Sequence, residues 1–449
     1  MSDADMPAQV APGTSPVLLL AASTWWPAAA RLAVAFIEHG CRVVAFCPPG
    51  HPLRYVRGVH EIHTCRALGP RRSLHEAIRR VQPDLVVPCD DRCVAQLHEL
   101  HRLHPLLRPL IERSLGDPFA FGVVESRDKL LDVAQQLGVR VARTCVVASS
   151  TQAADRYARD AATSLLKIDG TGGGRGVVIV RSAAQAAAAF RRIRFGTGIA
   201  VALKRLLINR DPLALWSWSR RRQAAITLQE FVDGTPANIM VACWRGKVLA
   251  ELSVQALACQ GPTGASLVVR VIEDRQLSRA AALLAGHLRI SGFFGLDFVL
   301  EQDSGAAYLI EMNPRCTQLG HLKLPQGDLA GALCAALRGT ERARPGPVIR
   351  SDTIALFPQA WMWGAKGAFR EGVHQDVPWE EKRLVEALVR TPWPERQWLA
   401  RCYHLFRRPA ALRAVETAPI DALIAGAAAE SAIAEHAPRE RGMRSTHSQ

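Results

Sequence analysis

The sequence lacks any long uncharged apolar run. No stretch of about 18 such residues occurs, whereas a helix that crosses a membrane needs roughly 20. The first residues, MSDADMPAQVAPGTSP, are acidic and polar and lack the basic segment that opens a signal peptide. We therefore expect no membrane contact and a cytoplasmic protein.

Paired cysteine motifs are also absent. The 11 cysteines are scattered through 449 residues, and no CxxC occurs. Cys89 and Cys93 lie one helical turn apart, but no second pair completes a zinc site. Buried free thiols are therefore expected rather than disulfides or structural zinc.

The net charge of +15 would suit a nucleic-acid partner, but no recognition module accompanies it. Zinc-finger, RRM and basic-zipper signatures are all missing, and the arginines are spread along the chain. Charge without such a module is weak evidence. We therefore expect no specific binding of nucleic acid, and an RNA-binding protein stays the weakest alternative.

The first part of the chain has a β-α-β pattern. PVLLLAAS (16–23) and CRVVAFC (41–47) read as buried strands, and residues 27–40 between them read as a helix. This pattern predicts a parallel sheet. The later strand PDLVVPCDD (83–91) carries Asp90 and Asp91 at its carboxyl end, where open parallel sheets bind ligands, although capping of the next helix is the favoured interpretation.

Five of the seven residues from Gly170 to Gly176 are glycine, which predicts a loop with unusual dihedral angles or a close ligand. It fits neither GxxxxGK[ST] nor GxGxxG, and both of those motifs open a helix. Here LLKI precedes the loop and VVIV follows it, so a glycine-rich β-hairpin is predicted. Its N–H groups could close over phosphates, which Lys167 could also reach. The alternative is a surface hairpin without a ligand.

Two later strands carry acidic residues. If GLDFVL and YLIEMNPR pair around a turn at 302–305, Asp297 and Glu311 lie side by side. Alternation places Glu311, Asn313 and Arg315 on one face. Oxygen ligands of this kind suit Mg²⁺ or Mn²⁺ bound to substrate phosphates, and Arg315 would meet anionic oxygens. A water-facing hairpin is disfavoured, because the neighbouring residues are apolar and buried carboxylates need partners.

These features together resemble the ATP-grasp superfamily over residues 120–340. They are a lysine near a helix start, a lysine before a glycine-rich hairpin, the segment QEFVDG, and an aspartate followed by EMNPR. Within the superfamily the chain resembles the branch of the carbamoyl-phosphate synthetase large subunit and biotin carboxylase.

The resemblance implies a role for each matching residue. Lys129 and Lys167 would bind ATP phosphates, and a flap containing Gly172, Gly173, Gly174, Arg175 and Gly176 would cover them. Glu230, Phe231 and Val232 would form the hinge against adenine. Asp297, Glu311 and Asn313 would bind the metal, and Arg315, with Lys167, would act on the transferred phosphate or the carboxylate substrate.

Three departures from the family pattern stand out. The residues after the hinge glycine are Pro236 and Ala237 instead of an acid, so ribose binding would fall to Asn238 or elsewhere. Leu319 stands where biotin carboxylase has a glutamate, which argues against bicarbonate deprotonation by that route. No second ATP-grasp copy is present, which argues against two-step carbamoyl phosphate synthesis.

The predicted fold is α/β (α+β), with four parts along the chain. A Rossmann-like parallel-sheet domain spans 14–115, and an ATP-grasp domain of two α+β subdomains spans 116–342. An extension of unknown role covers 343–424, and a disordered tail covers 425–449.

The predicted function is that of an ADP-forming, carbon–nitrogen ligase that uses ATP and Mg²⁺ or Mn²⁺. Its substrates would be a small carboxylate and an amine or similar nucleophile, and a homodimer is compatible with this expectation. Two alternatives stay open, a kinase-like ATP-grasp enzyme that phosphorylates a small molecule and a non-catalytic ATP-binding protein.

Overall fold

The computed structural model describes ten stretches of the chain. They are residues 15–67, 69–170, 176–196, 198–207, 211–221, 223–261, 264–325, 327–340, 348–362 and 372–390. The predicted tail 425–449 and the centre of the glycine-rich loop, 171–175, lie outside the described residues.

The N-terminal part of the chain forms a parallel sheet. Its strands are β1 (Val17–Ala21), β2 (Arg42–Cys47), β3 (Glu61–Thr64) and β4 (Leu85–Pro88), in the order β3-β2-β1-β4. All three pairings are parallel, as the β-α-β pattern predicts. The helices of this region are α1 (Ala28–Glu38), α2 (Pro70–Val81), α3 (Asp91–Leu103) and α4 (Arg108–Leu115).

A short helical connection leads from this sheet to the rest of the fold. It contains α5 (Phe121–Val124) and α6 (Arg127–Gln136). Leu130 and Leu131 of α6 are buried in a core that also contains Leu309, so α6 packs against the largest sheet.

The next unit is a small lobe built on an antiparallel sheet. Its strands are β5 (Thr144–Val146), β6 (Ser164–Ile168), β7 (Val177–Val180) and β8 (Ile226–Glu230), in the order β5-β8-β6-β7. Lys167 pairs with Val177 across the glycine-rich segment, so the predicted strand-to-strand connection is confirmed at both ends. The helices are α7 (Ser150–Asp160), α8 (Ala183–Phe195), α9 (Ile199–Leu207) and α10 (Ala214–Arg221).

Helix α10 packs on the N-terminal domain. Leu213, just before the helix, is fully buried in that domain's core, and Trp216 of α10 packs against the same core. Asp211 accepts two hydrogen bonds from Arg92 of α3, at 2.7 and 3.1 Å. The small lobe is thus attached to the first domain as well as to the large sheet.

The large lobe has a seven-stranded sheet in the order β13-β12-β9-β10-β11-β16-β17. Its strands are β9 (Gly234–Trp244), β10 (Lys247–Cys259), β11 (Ser266–Ile272), β12 (Gly292–Glu301), β13 (Ala307–Asn313), β16 (Thr353–Ala355) and β17 (His374–Gln375). A separate ribbon joins β14 (Lys323–Leu324) to β15 (Gly327–Asp328). The remaining helices are α11 (Arg275–Leu288), α12 (Leu329–Arg338), α13 (Gln359–Met362) and α14 (Lys382–Arg390).

A hairpin that turns at Arg245 and Gly246 connects β9 to β10. Both residues have positive φ, 50° and 81°, which is the conformation that tight hairpin turns require. Strands β16 and β17 come from the predicted C-terminal extension, and they complete one edge of the large sheet.

The N-terminal domain, the large lobe and the predicted C-terminal extension share one buried core. Phe36 of α1, Phe293 of β12 and Leu384 of α14 belong to it. Asp376, after β17, accepts a 2.5 Å hydrogen bond from Arg31 of α1 and pairs with His321, so residues near the end of the described chain brace the first domain. No helix within the described stretches is long and apolar enough to cross a membrane.

Candidate active site

Two carboxylates lie side by side on neighbouring strands of the large lobe. Asp297 of β12 is directly opposite Glu311 of β13, as predicted. A bulge follows this pair, since the next residue, Phe298, is opposite Leu309. Asp297 also faces Asn238 of β9.

The Asp297 carboxylate is held by two amides. Asn238 donates to one oxygen through its side-chain nitrogen, and Asn313 donates to the other at 2.9 Å. Burial and the neighbouring Glu311 charge raise the pKa of Asp297 to about 6, although these hydrogen bonds oppose the shift. The two carboxylates therefore repel each other at neutral pH.

Lys167, on β6 of the small lobe, is buried with 5% of its surface exposed. Its ammonium donates to Oε1 of Gln229 at 2.6 Å. Burial and the nearby Arg127 charge lower the pKa of Lys167 to about 8, while Glu311 and Asp297 act in the opposite direction. The lysine of one lobe and the carboxylates of the other thus share one electrostatic site.

Arg127 is the main residue of this site that the sequence pattern did not reveal. Its Nη1 donates to Asp169 at 2.9 Å, and its Nη2 is 3.1 Å from Oε2 of Glu311. Asp169 directly follows β6, so this arginine links the two lobes. The sequence offered one indication of its role, because Arg127 begins the helix that carries Lys129. Its partners could not be predicted, because they are far away in the sequence.

Arg315 lies close to the carboxylates but is already paired. Its Nε and Nη2 donate to the two oxygens of Asp91 at 2.9 and 3.1 Å, and Nη2 also donates to Oδ1 of Asn313 at 2.9 Å. These charges raise the pKa of Arg315 above its usual value despite its burial. Asp91 thus joins the edge of the N-terminal sheet to the carboxylate site.

Asp90 has a structural role. It accepts hydrogen bonds from the N–H and hydroxyl of Ser23, at 2.6 and 2.8 Å, and from the N–H of Thr24 and Cys93, at 2.9 and 3.0 Å. The helix-capping interpretation of Asp90 is therefore confirmed.

The predicted hinge lies at the end of β8. The N–H groups of Glu230 and Phe231 donate to the carbonyls of Arg143 and Thr163, at 2.8 and 3.1 Å. The N–H of Val232 makes no hydrogen bond within the described chain. Only this one of the three N–H groups is therefore free to meet a ligand.

A cavity of about 200 Å³ lies beside the hinge, between α6, β5 and α7. Glu230 and Arg143 line it, but Lys167, Asp297 and Glu311 do not. It is smaller than the roughly 300–1,000 Å³ that ligand pockets usually offer. The charged cluster is therefore the stronger candidate for chemistry.

Two of the remaining predicted phosphate-binding residues, Lys129 and Gly176, lie within the described residues. Lys129 is on the first turn of α6 and is exposed, and no hydrogen bond or ion pair engages its ammonium among the described residues. Gly176 has a φ of 80° and begins the return to β7. Gly172, Gly173, Gly174 and Arg175 lie outside the described residues.

Several oxygen atoms around Asp297 could bind a divalent cation. No cluster of three or more His, Cys, Asp or Glu side chains suited to a metal occurs within the described chain. Two carboxylates are nevertheless what phosphate-bound Mg²⁺ usually takes from a protein. Oδ1 of Asn238 is buried without a partner in the described chain, next to Asp297, so an unused oxygen acceptor is also present. The donor set fits a small, hard cation.

Comparisons with known proteins agree with this geometry. Residues 126–321 match the family model described as the carbamoyl-phosphate synthase L chain, ATP binding domain. A search of curated protein sequences finds no match.

Solved structures similar to this chain are ATP-grasp proteins. The biotin carboxylase domain of Hydrogenobacter thermophilus 2-oxoglutarate carboxylase, with MgADP, ADP and bicarbonate, is 15% identical with a TM-score of 0.53, covering 74% of this chain and 71% of that chain. N5-carboxyaminoimidazole synthetase from Staphylococcus aureus, with ADP, is 12% identical with a TM-score of 0.52, covering 74% and 80%. An N5-carboxyaminoimidazole ribonucleotide synthetase with ADP is 16% identical with a TM-score of 0.53, covering 76% and 81%.

The fold class follows from the strand topology, the match over residues 126–321 and these similarities. The chain carries an ATP-grasp fold behind a parallel-sheet domain. The resemblance to the carbamoyl-phosphate synthetase and biotin carboxylase branch is confirmed.

Proposed function

We propose that the protein is an ATP- and Mg²⁺-dependent, ADP-forming ligase that activates a carboxylate as an acyl phosphate for attack by an amine or similar nucleophile. The main support is the convergence of Lys167 with Asp297 and Glu311 across the two lobes. Lys167 is buried, whereas Asp297 and Glu311 are partly exposed and repel each other. A metal ion would offset the repulsion between the carboxylates, and a triphosphate would pair with the ammonium. The match to an ATP-binding domain supports the same assignment.

Lys167, Lys129 and the loop that contains Gly172, Gly173, Gly174, Arg175 and Gly176 would bind the phosphates. The pKa of Lys167 is lowered to about 8, and an anionic phosphate beside it would stabilise the charged form. The free N–H of Val232 would donate to the adenine edge, while Glu230 and Phe231 shape the hinge.

Asp297, Glu311 and Asn313 would hold the metal, and the unpartnered oxygen of Asn238 is a further candidate ligand. Mg²⁺, when bound, would neutralise charge on the phosphate oxygens. These chain groups would hold the triphosphate in line with the acceptor. The ribose-binding residue stays unassigned, because Asn238 contacts Asp297.

Arg315 would orient the carboxylate substrate or the transferred phosphate. A carboxylate oxygen attacks the γ-phosphorus, the bond to the β-phosphate oxygen breaks, and ADP leaves with an acyl phosphate formed. The amine then adds to the acyl carbon, and phosphate and a proton leave. Positioning and charge stabilisation supply most of the acceleration, so no protein nucleophile is required.

Bicarbonate is the first carboxylate to test, because a similar structure contains it with MgADP. The chain places the buried, apolar Leu319 where biotin carboxylase has a glutamate, so it offers no base there. We therefore propose that the substrate set includes organic carboxylates that are ionised without help from the protein.

The test is a matrix of carboxylate and amine pairs, with ATP and Mg²⁺, read by ADP release and mass spectrometry. Ligation predicts ADP, phosphate and a condensed product from the same pair. A stable phosphorylated product would instead assign a kinase-like activity. ADP binding without turnover for any pair would indicate a non-catalytic ATP-binding protein. Absence of both binding and turnover would contradict every form of the proposal.

A further inference from the structure

Arg127 occupies the centre of the charged cluster and has two acidic partners from different lobes. Its guanidinium binds Asp169 at 2.9 Å and Glu311 at 3.1 Å. The residue is buried, with 8% of its surface exposed. Transfer of such a cation from water is costly unless charges compensate it, and these two carboxylates supply the compensation.

One donor of this arginine is left over. Its Nε is buried and has no hydrogen-bond partner within the described chain. The positive charge of Arg127 helps to lower the pKa of Lys167. The negative charge of Asp297 helps to raise the pKa of Arg127. Arg127 therefore lies within electrostatic reach of Lys167, Asp297 and Glu311.

Glu311 cannot serve two cations equally. In this structure one of its oxygens faces the guanidinium of Arg127, and its neighbour Asp297 is engaged by the two amides. A divalent cation placed between Asp297 and Glu311 would compete with Arg127 for the same carboxylate. Released from Glu311, the guanidinium would keep Asp169 and gain free donors.

We propose that Arg127 is a resident counter-ion of the carboxylate site, which holds Glu311 in the ligand-free protein and yields it to the metal when a metal–nucleotide binds. This inference rests on the proposed function, since it assumes that Asp297 and Glu311 bind a cation. The freed guanidinium then faces the phosphates and offsets their charge. No bond is made or broken, and only ion pairs are exchanged.

The exchange predicts opposite effects on two ligands. Removal of the positive charge should strengthen the binding of free Mn²⁺, because Glu311 loses its internal cation. The same change should weaken the binding of ADP without metal, because the phosphates lose a cation. Each affinity should shift about tenfold, as expected for one unit charge a few ångströms away in a partly desolvated site.

The experiment measures both affinities in Arg127→Gln. Free Mn²⁺ binding without nucleotide is read by electron paramagnetic resonance, and ADP binding in EDTA is read by calorimetry. Arg72→Gln is the matched control, because it removes one arginine charge from an exposed ion pair with Glu76 on α2. The control should leave both affinities within about twofold.

Opposite shifts in Arg127→Gln support the proposal, whereas unchanged affinities in a folded variant overturn it. If Arg127→Gln loses its circular-dichroism spectrum, Arg127→Lys decides. Lysine keeps the charge but cannot contact both carboxylates as the guanidinium does, so smaller affinity shifts in the same two directions are expected. The absence of any shift in Arg127→Lys would overturn the proposal. A wild-type protein that binds Mn²⁺ but no nucleotide would contradict the proposed function, while the Mn²⁺ result would still test Arg127.

Discussion

Two acidic pairs in this molecule differ in how their charges are compensated. Asp90 and Asp91, at the end of β4, are matched within the chain by four hydrogen bonds and by Arg315, respectively. Asp297 and Glu311, in the large sheet, face each other, and the repulsion contributes to the raised pKa of Asp297. The first pair is complete without a ligand, whereas the second keeps an unfavourable interaction that a cation would relieve.

The difference shows that a pair of acidic residues in or after a strand does not by itself indicate a ligand site. A fully bonded carboxylate stabilises its loop, and its removal should cost stability. A carboxylate next to a like charge costs stability, and its retention points to a ligand. Substitutions in the two pairs should therefore separate stability from binding.

The largest stability change is expected from Asp90→Ala. Loss of one buried carboxylate leaves the N–H groups of Ser23, Thr24 and Cys93 without their acceptor. The free energy of unfolding should fall by about 3 kcal/mol, since hydrogen bonds to charged groups contribute roughly 1.5–3 kcal/mol each and losses overlap. Urea unfolding measures this. ADP affinity in Mg²⁺, measured on the folded fraction, should change less than about threefold.

Asp297→Asn should show the reverse pattern. The affinity for ADP in Mg²⁺ should fall to its metal-free value, a loss of about 100-fold, which corresponds to about 2.7 kcal/mol. The free energy of unfolding at pH 7 should change little, because relief of repulsion with Glu311 offsets a weakened bond to one amide. Calorimetry with and without Mg²⁺ is the measurement. A variant that kept the full Mg²⁺ effect would show that this pair is structural too.

A smaller, pH-dependent effect is expected from His51, which braces the same loop as Asp90. Its Nδ1 accepts from the N–H of Leu53 at 3.1 Å, and its Nε2–H donates to the carbonyl of Thr24 at 3.1 Å. Burial lowers the pKa of His51 from 6.5 to about 3. The neutral ring is therefore part of the fold.

The unfolded chain binds this proton more readily than the folded one. The stability from His51 is fully present above pH 6.5 and is lost as the pH falls towards 3. The slope should be at most about 1.4 kcal/mol per pH unit. Chemical unfolding between pH 7.5 and 5 measures it, and His51→Gln, which can still accept and donate, should flatten the slope. An unchanged slope in the variant would assign the effect to other groups.

The smallest effect is expected at the exposed ion pair beside the hinge. Arg143 donates to Glu230 at 3.0 Å, and its side chain is 64% exposed. Arg143→Ala should leave the free energy of unfolding almost unchanged, because solvent screens such pairs. Thermal melting in low and high salt is the check. A clear loss of stability would mean that the ion pair of Arg143 and Glu230 stabilises the fold, as the pair of Asp91 and Arg315 does.

The sequence predicted the part of the site that depends on local periodicity. Strand alternation and a polar turn are enough to bring Asp297 opposite Glu311, and the β-α-β pattern is enough for a parallel sheet. The strand-to-strand course on both sides of the glycine-rich segment followed from its apolar flanks.

The unpredicted part depends on contacts between distant elements. Arg127 lies in the site because α6 packs on the large sheet and because Asp169, its partner, follows β6 of the small sheet. The spacing of residues along the sequence does not predict either of these contacts. The bond between Arg315 and Asp91 likewise joins two domains. The bulge after Asp297 cannot be read from alternation, which assumes unbroken register.

Whether the charged cluster binds a metal–nucleotide is measured most directly by calorimetric titration of ADP, with and without Mg²⁺, into the wild-type protein and Lys167→Ala. We expect binding that Mg²⁺ strengthens in the wild type and a loss of about 100-fold in the variant, with unchanged circular dichroism. ADP binding that neither Mg²⁺ nor Lys167→Ala alters would contradict this expectation.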